Sequence, residues 1–481
     1  MELILIGFII YFIIISLIAL ASYITTKKTS SAYSQVILGD RSINYILTAF
    51  SAHASDMSDW LFMAFPAALY AGGMINSWIA IGLVIGMSIV WIFVAPQLRK
   101  ATEQFNAMTL STYFERRFDD SSGIIRLLSA LTSLLFFAVY IAAGLKGFGF
   151  LAESVFDVPY TIGLTVALAC VISYIFLGGY KALAWIDCFQ AIFLLIVIFY
   201  VPYVALKYIG GFSAIKKAAA IKHISLALLP TTCTQAINTF LMTVSWAVGY
   251  LGTPHILTKF MGMKNVTEIK KARYIGLGWQ ISVLTAAGLV GLIGIAFFPE
   301  TLANKELVFV EMVKNLFTPL HVGFILSAIA GATLSVMTAQ VLVLVSVFTE
   351  DLYRATIKKN ATDTELLWVY RASILVIALA SFYVSLNKTQ SIQQLVHYAW
   401  MGFGCAFGPL VLLALHTKYI NKYGAYASII TGSIIAALWH SVGNPFFLAH
   451  YNLDIPAVLP GFMVNIISAY GITFFSKKII F

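Results

Sequence analysis

Two aspartates stand three residues apart in the middle of an apolar run, in Ala54-Ser55-Asp56-Met57-Ser58-Asp59. On a continuous helix they would share one face. Like charges that close in a low-dielectric setting need a cation, a basic partner or a proton to relieve them. The hydroxyls of Ser51, Ser55 and Ser58, with any exposed carbonyls, make oxygen-rich surroundings that suit a small hard cation such as sodium. Capping of a second half-helix by Ser55 and Asp56 is the plainer reading, and the two are compatible.

The elements that must carry these residues follow from composition. Of 481 residues, 60% are hydrophobic and 10% are charged, whereas a soluble chain carries about 25% charged residues. A soluble enzyme, a coiled coil and a disordered protein are excluded. Windows of about 20 apolar residues predict an all-α polytopic membrane protein with thirteen spans, near 3–24, 43–71, 76–96, 123–152, 160–178, 185–207, 235–252, 273–297, 316–348, 366–386, 395–416, 425–441 and 457–477. The runs are too long and continuous for an outer-membrane barrel. The first is read as a retained helix rather than a signal peptide. Alternating connections place twenty Lys and Arg on one side, Lys27, Lys28 and Lys259 among them, and seven on the other. The positive-inside rule then predicts an outside N-terminus and a cytoplasmic C-terminus, which makes the net charge of +10 a matter of topology rather than nucleic-acid binding.

Two spans look damaged as helices. The second carries the Asp56/Asp59 segment and then Pro66, and the seventh ends in Gly249-Tyr250-Leu251-Gly252-Thr253-Pro254. They open two intervals of five spans each, 43–207 and 235–416, with 3–24 before and two helices within 425–477 after. Discontinuous helices at matching places in two halves point to an inverted-repeat transporter with a midplane site. Irregular backbone at that depth requires a protein-lined cavity. The chance abundance of Gly and Pro in membrane helices is the competing explanation.

A charge at the centre of a membrane helix costs about 2.5–3.5 kcal/mol on the insertion scale, so Lys146, Asp187 and Arg371 are further candidates. Lys146 either pairs with Asp59 or snorkels outward. Asp187, placed at the start of the sixth span, serves either the site or the helix dipole. Arg371 is read as snorkelling. Ser327, Thr333, Ser335 and Thr338 put hydroxyls on the ninth span, where back-bonding is the ordinary use. Trp246 and Tyr250 offer either a stacking face or interfacial anchors. Cys170, Cys188, Cys233 and Cys405 form no CxxC pair, and the histidines show no metal-ligand spacing. No phosphate-loop motif and no nucleophile–base pair is present, so neither an ATP-driven pump nor an enzyme is expected.

From Ser51-Ala-His-Ala-Ser-Asp-Met-Ser-Asp-Trp60 onward the chain resembles the sodium:solute symporter family, its proline-carrying bacterial members above all. Further matching segments are 77–83, 134–140, Trp185-Ile-Asp-Cys-Phe-Gln190, 246–261, 349–353 and 398–404. The resemblance implies a LeuT-type fold of two inverted five-helix repeats and sodium-coupled import of proline or a related small zwitterion by a monomer in the cytoplasmic membrane, with no other cofactor. It carries the sodium site to Ala54, Met57, Ala332 and Ser335, and the sodium coupling or path to Asp56 and Asp187. The solute side falls to Ser58, Tyr140, Trp246, Tyr250 and Pro254, with Arg41 and Ser51 as further functional positions. Three positions depart from the pattern: Val336 replaces a second hydroxyl, Asp59 stands where a glycine is expected, and Lys146 where an uncharged residue is expected. Proton coupling through Asp59, with another amino acid or a betaine as solute, is the alternative, and a solute sensor is a third reading.

Overall fold

The computed structural model describes residues 1–25, 38, 41–177 and 180–480, so Lys27 and Lys28 lie outside the described residues. Its helices are α1 (Glu2–Thr25), α2 (Tyr45–Ala54), α3 (Asp59–Phe62), α4 (Ala64–Gly72), α5 (Trp78–Ile89), α6 (Ala95–Gln104), α7 (Leu110–Arg117), α8 (Ile124–Phe156), α9 (Tyr160–Leu177) and α10 (Tyr180–Tyr208). Then follow α11 (Phe212–Ile221), α12 (Cys233–Gly249), α13 (Pro254–Met261), α14 (Ile269–Phe297), α15 (Val308–Leu316), α16 (Pro319–Ser346), α17 (Asp363–Ser385), α18 (Ile392–Ala406), α19 (Gly408–His416), α20 (Lys422–Tyr451) and α21 (Val458–Ile480).

Among the described residues, nine helices are long and apolar enough to cross a membrane, and Glu2–Ile18 and Tyr160–Ser173 are shorter apolar helices. The remaining two expected spans are the broken ones. In the second, α2 is started by Asn44, whose side chain accepts from the Leu47 N–H at 2.9 Å. It stops at Ala54, after which Ser55 turns its hydroxyl back onto the Ser51 carbonyl at 2.6 Å. The Asp56 carbonyl, freed by the break, accepts from the Trp60 indole N–H at 2.7 Å, the kind of compensation that irregular backbone at depth requires. Pro66 has no N–H to offer the Phe62 carbonyl, and the chain steps at Met63 from α3 to α4.

The seventh span was expected to end at 252. It breaks at Tyr250–Thr253, as its Gly–Pro cluster indicated, but resumes beyond the expected limit as α13, with Pro254 at the first turn. Eight residues are too few to register in a membrane-length window, which is why the sequence reading missed α13. Gly252 closes this break against another: a Cβ there would lie 2.0 Å from the Phe403 carbonyl oxygen and 2.7 Å from the Gly408 nitrogen, where α18 passes into α19. Both neighbours are backbone and cannot rotate away. Gly252→Ala is therefore expected to cost at least about 1–3 kcal/mol as overpacking, read as a lower melting temperature of the purified protein in detergent.

The most apolar window of the helix from Pro319 is 94% buried, against 28% in α20 and in α21. α16 is thus the central element, packed on α1, α8, α10, α13 and both α2 and α3, whereas α20 and α21 pair with each other at the periphery. A parallel bridge between Ile43 and Met263 ties the entry of α2 to the exit of α13.

Candidate functional site

The two broken helices meet at Asp56. Its carboxylate, 1% exposed, accepts a hydrogen bond from the Tyr250 hydroxyl. Tyr250 in turn accepts from the Gln280 amide of α14 at 2.9 Å. A carboxylate and a phenol from the two interruptions are thereby fixed at one depth. Tyr140 of α8 reaches the same place: its ring stands edge-on to His255 at 5.6 Å, the charges of Asp56 and Asp59 both act on it, and its buried hydroxyl has no hydrogen-bond partner. Pro254 opens the helix that carries His255.

Asp187 forms a second centre. It does not open its helix, since α10 begins at Tyr180, so the dipole reading fails. Fully buried, it accepts from the Ser51 hydroxyl of α2 and the Ser335 hydroxyl of α16, and it pairs with Lys259 Nζ of α13 at 3.0 Å. One carboxylate therefore ties together both broken helices and the central helix. Ala332 and Val336 flank Ser335 on α16, buried beside α2 and α3, whose interruption carries Ala54 and Met57.

Above Asp56, Trp246 stacks between Trp60 (6.0 Å) and His397 (4.9 Å), and its carbonyl accepts from the Trp400 indole at 2.9 Å. Trp246 and His397 also line a vestibule of about 1320 Å³ with Gln235, Asn238, Tyr398 and Asp454. This cavity opens at the end of the bundle that bears the 209–232 and 452–457 connections. Stacking is thus the role the structure gives Trp246, and interfacial anchoring is not.

Asp59 and Lys146 do not pair. The Lys146 side chain is covered by protein, and its ammonium reaches the loop after α17, where it donates to the carbonyls of Asn387 (2.7 Å) and Gln390. Loop carbonyls that accept a lysine have no sequence signature. Glu306, before α15, faces Lys146 and takes the Gln393 N–H at 3.3 Å. Burial pushes its carboxyl up to about 7, against the Gln393 and Ile392 amides and Lys146. Ser58 is buried at the head of α3. Arg41 is not brought to either centre: it donates to the carbonyls of Met261 (2.8 Å), Thr102 (3.0 Å) and Ala107 (2.7 Å), bracing the exit of α13. Arg371 is exposed and lies over the Trp368 ring at 5.3 Å, as a snorkelling residue would. Lys259, Gln280, His255 and Glu306 escaped the sequence reading. Lys259 had one signal, a charge within the apolar run Leu257–Met261.

Paired discontinuous helices that meet at a buried carboxylate beneath a vestibule define a secondary transporter. The sodium:solute symporter family profile matches residues 36–432. An osmoregulated proline transporter of Bacillus subtilis is 36% identical over 473 residues, 98% of this chain and 94% of that protein. A sodium/proline symporter of Escherichia coli is 38% identical over 465 residues, 95% and 90% of the two chains. The chain belongs to the sodium:solute symporter family. In structure it is similar to an outward-open Na+-coupled sialic acid symporter, with a TM-score of 0.77 at 16% identity over 98% of both chains. It is also similar to MhsT, with a TM-score of 0.53 over 90% of this chain and 96% of that one. The fold is the LeuT-type fold of these transporters.

Proposed function

We propose that this chain carries proline or a related small zwitterion into the cytoplasm together with sodium, by alternating access. The observation that carries the reading is the Asp56–Tyr250 contact, which joins the two interruptions at one buried point beneath the vestibule. Relatives named as proline transporters at 36–38% identity over most of the chain support the choice of solute. In this reading Asp56 is the sodium-coupling carboxylate, and sodium sits among the Ala54, Met57 and Ala332 carbonyls and the Ser335 hydroxyl. Asp187 lies on the ion's path. The solute lies against Ser58, Tyr140, Trp246, Tyr250 and Pro254, entering from the vestibule. Residues 43–207 and 235–416 are the two repeats that move against each other, within a single chain acting as a monomer. The excess of Lys and Arg on one set of connections supports an outside N-terminus and a cytoplasmic C-terminus in a bacterial-type inner membrane.

Uptake of labelled proline into proteoliposomes tests this. Accumulation is expected when sodium is outside and is expected to collapse when choline replaces sodium at fixed pH. Uptake that ignores sodium and follows an imposed pH gradient would replace sodium coupling with proton coupling.

A further inference from the structure

Asp59 is a buried carboxylate that takes no part in the Asp56 and Asp187 networks. Its side chain is 1% exposed, and neither oxygen accepts a hydrogen bond. The Ser58 hydroxyl and the amides of Trp60 and of Asp59 itself lie beside it and offset part of its charge, while Glu306 acts on it as a like charge; no cation pairs with it among the described residues. It rests on α8 at a place hollowed for it: a Cβ on Gly147 would lie 2.0 Å from Asp59 Oδ2. The neighbouring Lys146, which could have neutralised it, is committed to the Asn387 and Gln390 carbonyls. The Tyr140 hydroxyl, on the same helix as Gly147, is also buried and without a hydrogen-bond partner. A buried, unpaired carboxylate is costly, and what relieves it best is a cation that also donates hydrogen bonds.

We propose that Asp59 selects the solute by charge and by donors, taking the N–H-bearing ammonium of the transported amino acid beside Tyr140. A primary or secondary ammonium supplies both the charge and the donors. A quaternary ammonium supplies charge alone and leaves both oxygens bare, so Asp59 selects against betaines. The inference rests on the transport reading above and adds to it the class of solute.

The test compares wild type, Asp59→Asn and Gly147→Ala in proteoliposomes, with labelled proline and with glycine betaine as competitor, at saturating sodium and then across a sodium series. Asp59→Asn is expected to raise the KM for proline about tenfold or more, the scale of a lost charged hydrogen bond. The half-saturating sodium concentration and the sodium Hill coefficient are expected to stay the same, and betaine to compete better than against wild type. Gly147→Ala keeps the charge but displaces it, so it raises the same KM. Combined with Asp59→Gly it is expected to have no further effect, which separates the contact from a general folding defect. An unchanged KM in Asp59→Asn overturns the proposal. So does a changed sodium Hill coefficient, which would make Asp59 a second sodium ligand. Wild type that takes up no proline overturns the transport reading, and the role of Asp59 with it.

Discussion

Asp56→Asn is expected to lower sodium-driven uptake by about a hundredfold while leaving the protein folded. Asparagine is nearly isosteric with aspartate and keeps an oxygen that can accept from Tyr250, whose hydroxyl is held independently by Gln280. The Asp56 carbonyl, which the Trp60 indole occupies at 2.7 Å, is untouched by the change. What is lost is the negative charge at the point where the two interruptions meet. A charge-assisted contact is worth up to about 3 kcal/mol, and each 1.4 kcal/mol is about tenfold. Tyr250→Phe removes the donor but keeps the charge, so its loss is expected to be smaller, about tenfold. Initial rates against sodium concentration, with melting temperature as the folding control, check both variants. Sodium-activated uptake by Asp56→Asn within tenfold of wild type would remove Asp56 from the coupling.

The features legible in the sequence were those that violate a local rule. An Asp-rich segment or a Gly–Pro cluster inside an apolar run cannot be ordinary lipid-facing helix, so Asp56 and Gly249–Pro254 could be marked before any fold was known. Pairings were not legible. Asp187 and Lys259 lie 72 residues apart in sequence, and nothing local to either names the other. Lys259 was instead counted among the topology-setting charges because it follows the seventh apolar window, which ends at 252. Lys146 misled for a related reason: a buried lysine suggests a carboxylate, but carbonyl oxygens at a loop satisfy it as well, and every residue has one. The resemblance to the family supplied roles for Tyr140 and Ser335, and the geometry adds that Ser335 is bonded to Asp187.

The Lys259–Asp187 pair yields the largest expected effect on stability. Both side chains are buried, at 3% and 0% exposure, so solvent does not screen them. Breaking a buried pair by removing one partner costs about 3–5 kcal/mol, because the remaining charge is uncompensated; removing both charges is often close to neutral. Lys259→Met is therefore expected to destabilise strongly. Adding Asp187→Asn should restore most of the loss, since asparagine can still accept from Ser51 and Ser335. The pair joins α13, the second half of a broken helix, to α10, with α2 and α16 attached through the two hydroxyls, so in the proposed cycle it lies between the elements that move. The double variant is accordingly expected to recover its melting temperature but not its uptake rate. A rescue of stability without transport shows that the charges at this site serve the cycle beyond holding the fold. Equal instability of the single and double variants would mean that packing of the Lys259 stem, and not its charge, is what the site requires.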